Sequence, residues 1–230
     1  MKIYYRISNN SYKKVRLDHA TKEYCLTNFL SIFRVPENSI TLVADNVTDE
    51  ALLEFIKKAP VDDMEYTSLN NAQSFKYVLN KAVNLDPEEL VYFPEDDYLY
   101  LPKAYDCLQE ALQISDYVSL YDHPDKYRNY AEGGDNPFIE YGGEVTRVVK
   151  TDSSHWKLTN STTMSFASRV RTLQEDIEIW HRYLQGAHPN DFQAFLDVRD
   201  KGRCLLTPLP GLSTHTEANY LSPLIDWNKV

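Results

Sequence analysis

In the first half of the chain the apolar positions switch between the two periods that mark strands and helices. Residues 2–8 read as a strand. Leu26, Phe29, Leu30 and Phe33 then recur at helical spacing within 21–33. Ile40 to Ala44 form a short apolar strand that ends at Asp45-Asn46. Thr48 is a suitable N-cap for the next helix. Asp49 and Glu50 lie in its first turn and Lys57 and Lys58 in its last, as the helix dipole favours. Leu52, Leu53 and Ile56 give that helix its inward face. Met64 to Leu69 make a third strand, and Phe75, Val78, Leu79, Ala82 and Val83 mark the helix after it. A fourth strand from Leu90 to Phe93 runs into Pro94-Glu95-Asp96-Asp97, and a helix is expected from near Pro102. This β-α-β-α-β-α-β order predicts an α/β fold with a mostly parallel central sheet and helices on both faces.

The second half has a different pattern. Asp116 to Tyr121 reads as a strand, and 122–143 as a long polar excursion rich in Tyr, with Pro124, Pro137, Gly133, Gly134 and Gly142. Glu144 to Lys150 and Thr159 to Ala167 carry β-branched runs expected to form a small antiparallel extension. Helices over roughly 168–184 and 190–201, a short strand near Cys204 to Thr207 and an irregular tail complete the reading. The chain reads as one domain, 1–115 forming a nucleotide-binding half and 116–230 an acceptor and catalytic half.

Composition narrows the function. The 230 residues are 43% hydrophobic, enough for one substantial core, and only 7 are Gly. A formal charge of -10 disfavours nucleic acid as a partner, since such binding rests on Lys and Arg meeting phosphates. Cys25, Cys107 and Cys204 form no metal-binding or disulfide spacing and fit a reducing compartment. With no signal-peptide pattern and no long apolar run, the expectation is a soluble cytoplasmic protein without a transmembrane segment. Oligomeric state is open.

Chemistry concentrates at Glu95-Asp96-Asp97. Three adjacent carboxylates after a buried strand repel one another, and a cation is the usual way to offset that repulsion. In parallel sheets ligands bind at the carboxyl ends of strands. Asp45-Asn46, Asn70-Asn71 and the acidic triplet all fall at such ends.

Taken in order, these features resemble a GT-A-fold (Rossmann-like) glycosyltransferase of the family 2 type, over a span from Ile3 to His215. The resemblance implies an inverting hexosyltransferase that moves a hexose or deoxyhexose from a nucleoside-diphosphate sugar, UDP-sugar favoured, to a glycan or glycolipid acceptor. Glu95-Asp96-Asp97 would fill the place of the DxD motif, although Glu replaces the first Asp. Asp97 would then ligate Mn²⁺ or Mg²⁺, and Asp96 or Glu95 would bond the ribose. Asp45 resembles the acid that recognises the nucleoside. Asn71 and Ser74 sit where base or ribose is held, with N-capping as the alternative. Arg6 is read as a base or phosphate contact, or else as a surface ion pair. His215, in a turn-rich tail, resembles the late His that completes the metal shell.

The catalytic base has two candidates. Val170, Leu173, Ile177 and Trp180 place Asp176 mid-helix and, on this reading, toward solvent. Asp191 lies in the first turn of the next helix, at the position that family members use for the base, and is the choice. His155 and Trp156 either line the sugar site or, for Trp156, pack in the core. A non-catalytic glycan-binding module is the main alternative. A sugar-1-phosphate nucleotidyltransferase ranks lower, because Ser8 to Lys14 lacks the Gly-rich phosphate loop of that class.

Overall fold

A computed structural model describes residues 1–9 and 15–230 of the chain. The loop over Ser8 to Lys14 therefore lies mostly outside the described residues. The first half follows the expected alternation: β1 (Lys2–Ser8), α1 (Lys22–Phe33), β2 (Ser39–Asp45), α2 (Glu50–Ile56), β3 (Asp63–Thr67), α3 (Asn71–Ala82) and β4 (Leu90–Tyr92). After the acids come β5 (Tyr98–Tyr100) and α4 (Ala104–Ala111). The second half holds β6 (Tyr117–Val118), β7 (Val148–Lys150), β8 (His155–Leu158), β9 (Ala167–Arg169), α5 (Val170–Tyr183), α6 (Asp191–Asp200), β10 (Leu205–Leu209) and β11 (Ser213–His215).

The main sheet has the order β3-β2-β1-β4-β9-β6-β10-β8-β7. Pairing is parallel from β3 to β4, and again between β6 and β10, but β9 runs antiparallel to both β4 and β6. β8 and β7 extend the sheet antiparallel, and β11 pairs separately with β5. The sheet is thus mixed, parallel where the first half builds it and largely antiparallel beyond.

Side-chain alternation along the strands sorts the helices to two faces. Ile3, Tyr5, Ile7, Ile40, Leu42 and Ala44 pack with α1, α2 and α4, whereas Tyr4 and Val43 join α3, α5 and α6. Phe29 and Phe33 stack at 4.7 Å and meet Tyr100 edge-on. Burying each such ring contributes roughly 1.5–3 kcal/mol. No helix among the described residues is long and apolar enough to cross a membrane.

Several local expectations are corrected. Asp49, not Thr48, caps α2, because its carboxylate accepts the Leu52 N–H. Residues 159–166 form no strand: Thr159, Asn160, Ser161 and Thr162 are buried in side-chain bonds to Glu144, Lys126 and Ser119. Polar β-branched residues there serve a buried network rather than a ladder. His155 and Trp156 begin β8, and Trp156 packs in the core, fully buried and bonding Thr151 through Nε1. Asp176 does not face solvent. It is buried on α5, accepting from Tyr117, Lys201 and Arg203.

Candidate active site at the carboxyl ends of the strands

A cleft of about 390 Å³ opens beyond the carboxyl ends of β1, β2 and β4. Its lining contains Arg6, Asp45, Asn71, Ser74, Glu95, Asp96, Asp97 and His215, all of the residues chosen for the nucleotide and metal sites. Asp191 is the one chosen residue outside it. The lining also includes Ser8, Lys22 and His188, which the sequence reading did not select.

Asp45 ends β2, and Asn46 turns the chain with φ +52°, a conformation that Asn tolerates better than most residues. Asp45 Oδ1 accepts from Thr67 Oγ1 (2.7 Å) and the Leu69 N–H (2.8 Å), and Oδ2 from Asn46 (3.1 Å). One carboxylate oxygen therefore ties β2 to the end of β3, the other is held by Asn46, and the residue lines the cleft. Asn70, not Asn71, caps α3, its side chain accepting the Gln73 N–H. Asn71 and Ser74 stand in the first turn, facing the cleft.

Arg6 is no surface ion pair. It is 6% exposed, donates to Glu95 Oε1 at 2.6 Å and to Asn71 Oδ1 at 3.0 Å, and lies over the Phe75 ring. Asp96 Oδ2 accepts the Ser8 N–H and Lys22 Nζ, both at 2.6 Å. Asp97 Oδ2 is met by Arg16 Nη2 and by His215 Nε2, each at 3.1 Å. His215 is not in an irregular tail: β11 pairs it with Tyr98, next to the triplet, and the Thr216 N–H bonds the Asp97 carbonyl.

Each acid thus has a basic partner. Burial works to raise the pKa of Asp97, but the charges of His215, Arg16 and Lys22 hold its carboxyl far below the usual range. Burial raises that of Glu95 against the pull of Arg6, with the neighbouring carboxylates adding to the rise.

Asp97 and His215 face each other with oxygen and nitrogen 3.1 Å apart. The Glu217 N–H donates to His215 Nδ1 at 3.1 Å, so Nε2 is the ring nitrogen that carries the proton, and it points at Asp97 rather than offering a lone pair to a cation. Among the described residues no group of three His, Cys, Asp or Glu could hold a metal ion.

Asp191 opens α6 beyond the rim made by Ala187 and His188. It is half-buried, and its Oδ1 accepts the Phe192 N–H at 2.8 Å. Burial raises its pKa above the ordinary carboxylate value, although the Phe192 N–H and the charges of His123 and Lys126 pull it down. A carboxylate so shifted is a better proton acceptor than a solvated Asp.

The sequence did contain one unread signal for Lys22. A cation at the first position of a helix opposes the dipole, and such a residue needs a carboxylate nearby, here Asp96.

No family model matches the chain, and no curated protein matches it. Solved structures do share its architecture. A 4-diphosphocytidyl-2C-methyl-D-erythritol synthase from Anaerococcus prevotii DSM 20548 superposes with a TM-score of 0.53 at 14% identity, over 98% of this chain and 94% of that one. A candidate nucleotide-diphospho-sugar transferase from Desulfovibrio desulfuricans G20 gives 0.50 at 13%, over 90% and 78%. At these identities the likeness extends to the fold alone. With its mixed sheet, flanking helices, small antiparallel extension and strand-end cleft, the chain has a GT-A-like, Rossmann-type fold.

Proposed function

We propose that the cleft binds the nucleoside diphosphate of a nucleotide-linked sugar, UDP-sugar favoured, and that the protein transfers the sugar to a hydroxyl of a glycan or glycolipid. The observation that carries this reading is the convergence of Arg6, Asp45, Asn71, Ser74, Asp96, Asp97 and His215 on one cleft large enough for a nucleotide.

In this reading Asp45 Oδ2, which accepts from Asn46, takes a second bond from base or ribose, and Asn71 and Ser74 hold the ribose side. Arg6 fixes Glu95 and Asn71 in place. Lys22 and Arg16 put positive charge where the diphosphate lies. A Mn²⁺ or Mg²⁺ ion would have Asp97 as its protein ligand and would stabilise negative charge on the leaving diphosphate, while His215 keeps Asp97 in place. Asp191 takes the proton of the acceptor hydroxyl as it attacks the anomeric carbon from the face opposite the diphosphate, so the transfer inverts configuration.

A second reading, nucleotidyl transfer, draws on the match to the diphosphocytidyl synthase over nearly the whole length of both chains. Arg6 and Lys22 line the cleft and would meet the phosphates of either substrate, so its charge does not separate the two readings.

Incubation with UDP-, GDP-, CDP- and dTDP-sugars against nucleoside triphosphates plus sugar phosphates separates the two. Release of a nucleoside diphosphate supports glycosyl transfer, and release of pyrophosphate replaces it with nucleotidyl transfer.

A further inference from the structure

Helices α1 and α2 lie side by side on one face of the sheet, with Leu26, Phe29, Leu52 and Ile56 turned into the core. Each presents a second stripe outward. On α1, Thr27, Leu30, Ser31 and Arg34 recur at the spacing of a single helical face, and Ala51, Glu54, Phe55 and Lys58 do the same on α2 and its closing turn. An open groove of about 840 Å³ runs between the stripes. Leu30 is half-buried there, and Phe55 is 37% exposed. The charged side chains along it do not converge: Arg34 is tied to Asp62 at 2.6 Å and Glu54 to Lys57 at 2.9 Å. A small polar ligand needs polar groups aimed at one point, so the groove is suited instead to a second apolar protein surface.

Charge along α2 is divided by position. Asp49, Glu50 and Glu54 lie at its start and middle, Lys57 and Lys58 at its end, and all five are exposed. A copy of α2 turned end for end sets the acids of each against the bases of the other. Rotation about a two-fold axis does this, and an interface so built is self-complementary. The chain carries a net charge of -10, so two copies repel in general, and this face is one where opposite charges meet.

We propose that the face formed by α1 and α2 is the contact between two copies of this chain, packed about a two-fold axis with Phe55 of each copy in the groove of the other and Glu54 opposite Lys58. The groove shares no lining residue with the strand-end cleft, so the proposal is independent of the nucleotide reading.

Sedimentation equilibrium of the full chain at physiological salt, over the micromolar range, tests it. Wild type dimerises. Phe55→Ser weakens the dimer about tenfold or more, through loss of an aromatic anchor from each half of the contact. Glu54→Lys and Lys58→Glu each set like charges across the axis and weaken it by about tenfold. Mixed in equal amounts, these two variants pair with each other, because every contact then joins opposite charges. A general loss of stability gives no such rescue.

Wild type that stays monomeric, a dimer indifferent to Phe55→Ser, or charge variants that fail to pair on mixing overturns the proposal. Monomeric wild type that co-sediments with phosphatidylcholine vesicles, and loses this in Phe55→Ser, gives the groove to a membrane surface instead.

Discussion

Asp176→Ala separates a structural carboxylate from a catalytic one. Asp176 is 1% exposed and accepts from Tyr117 Oη at 2.8 Å, Lys201 Nζ at 2.6 Å, and Arg203 Nε and Nη2 at 2.8 and 3.1 Å. It thereby ties α5 to the strand β6 and to the turn before β10. Breaking a buried ion pair from one side costs about 3–5 kcal/mol. Lys201 is 42% exposed and Arg203 18%, so both can regain water, which places the expected loss near ~3 kcal/mol. For a chain of this size each kcal/mol lowers the melting temperature by about 2–4 °C, giving a fall of roughly 6–12 °C.

Thermal unfolding followed by circular dichroism at pH 7 reads that fall directly. Nucleotide affinity stays unchanged, because Asp176 lies outside the cleft lining. Burial pushes the Asp176 carboxyl up, but Arg203, Lys201 and Tyr117 outweigh it and hold its pKa below the ordinary value. Its contribution is therefore complete above the unfolded pKa of about 3.9 and is lost as pH falls through the lower folded value. The gap between wild type and variant narrows accordingly in acid. A fall of less than about 2 °C at neutral pH refutes the reasoning, since it leaves no room for a buried cluster of this size.

Asp191→Asn lowers turnover by about 10²–10⁴ while nucleotide affinity holds, as expected for loss of a general base; native turnover removes Asp191 from the mechanism. Because burial raises its pKa, the acid limb of the kcat–pH profile has its midpoint above the ordinary value of about 3.9, activity falling as pH drops through it. A nucleoside diphosphate at about 100 times its dissociation constant adds roughly 2.7 kcal/mol and raises the melting temperature by several degrees. No shift with any of UDP, GDP, CDP or dTDP counts against the nucleotide site. Lys22→Ala removes the 2.6 Å partner of Asp96 and weakens nucleotide binding about tenfold, with stability changed by roughly 1 kcal/mol or less, as calorimetry and melting would report.

The parallel half of the fold was legible because its strands and helices carry clean periods: Leu26, Phe29 and Phe33 on α1, and Phe75, Val78 and Leu79 on α3, are all fully buried. Period says nothing about partners. β9, three residues between two parallel neighbours, reverses the sheet with no local mark in its sequence, Ala167-Ser168-Arg169. Asp176 was misplaced for a related reason. Its neighbours define the apolar face of α5, but Lys201 and Arg203, which make its burial tolerable, come from a turn 25 and 27 residues away. Charge at a helical position reveals exposure only when no distant partner compensates it.

The acidic triplet shows the same limit from the other side. Three adjacent carboxylates demand positive charge, and from sequence alone a bound cation is the economical source. In the fold the charge comes from Arg6, Lys22 and Arg16, held 89, 74 and 81 positions from their partners, together with His215. This arrangement gives the cleft a nearly balanced pair of charge layers, basic side chains from β1, α1 and the segment before α1 against acids from the turn after β4. On the proposed nucleotide reading, a diphosphate would draw on the basic layer and loosen its hold on the acids, so these ion pairs set the first cost that any anionic ligand of the cleft must offset.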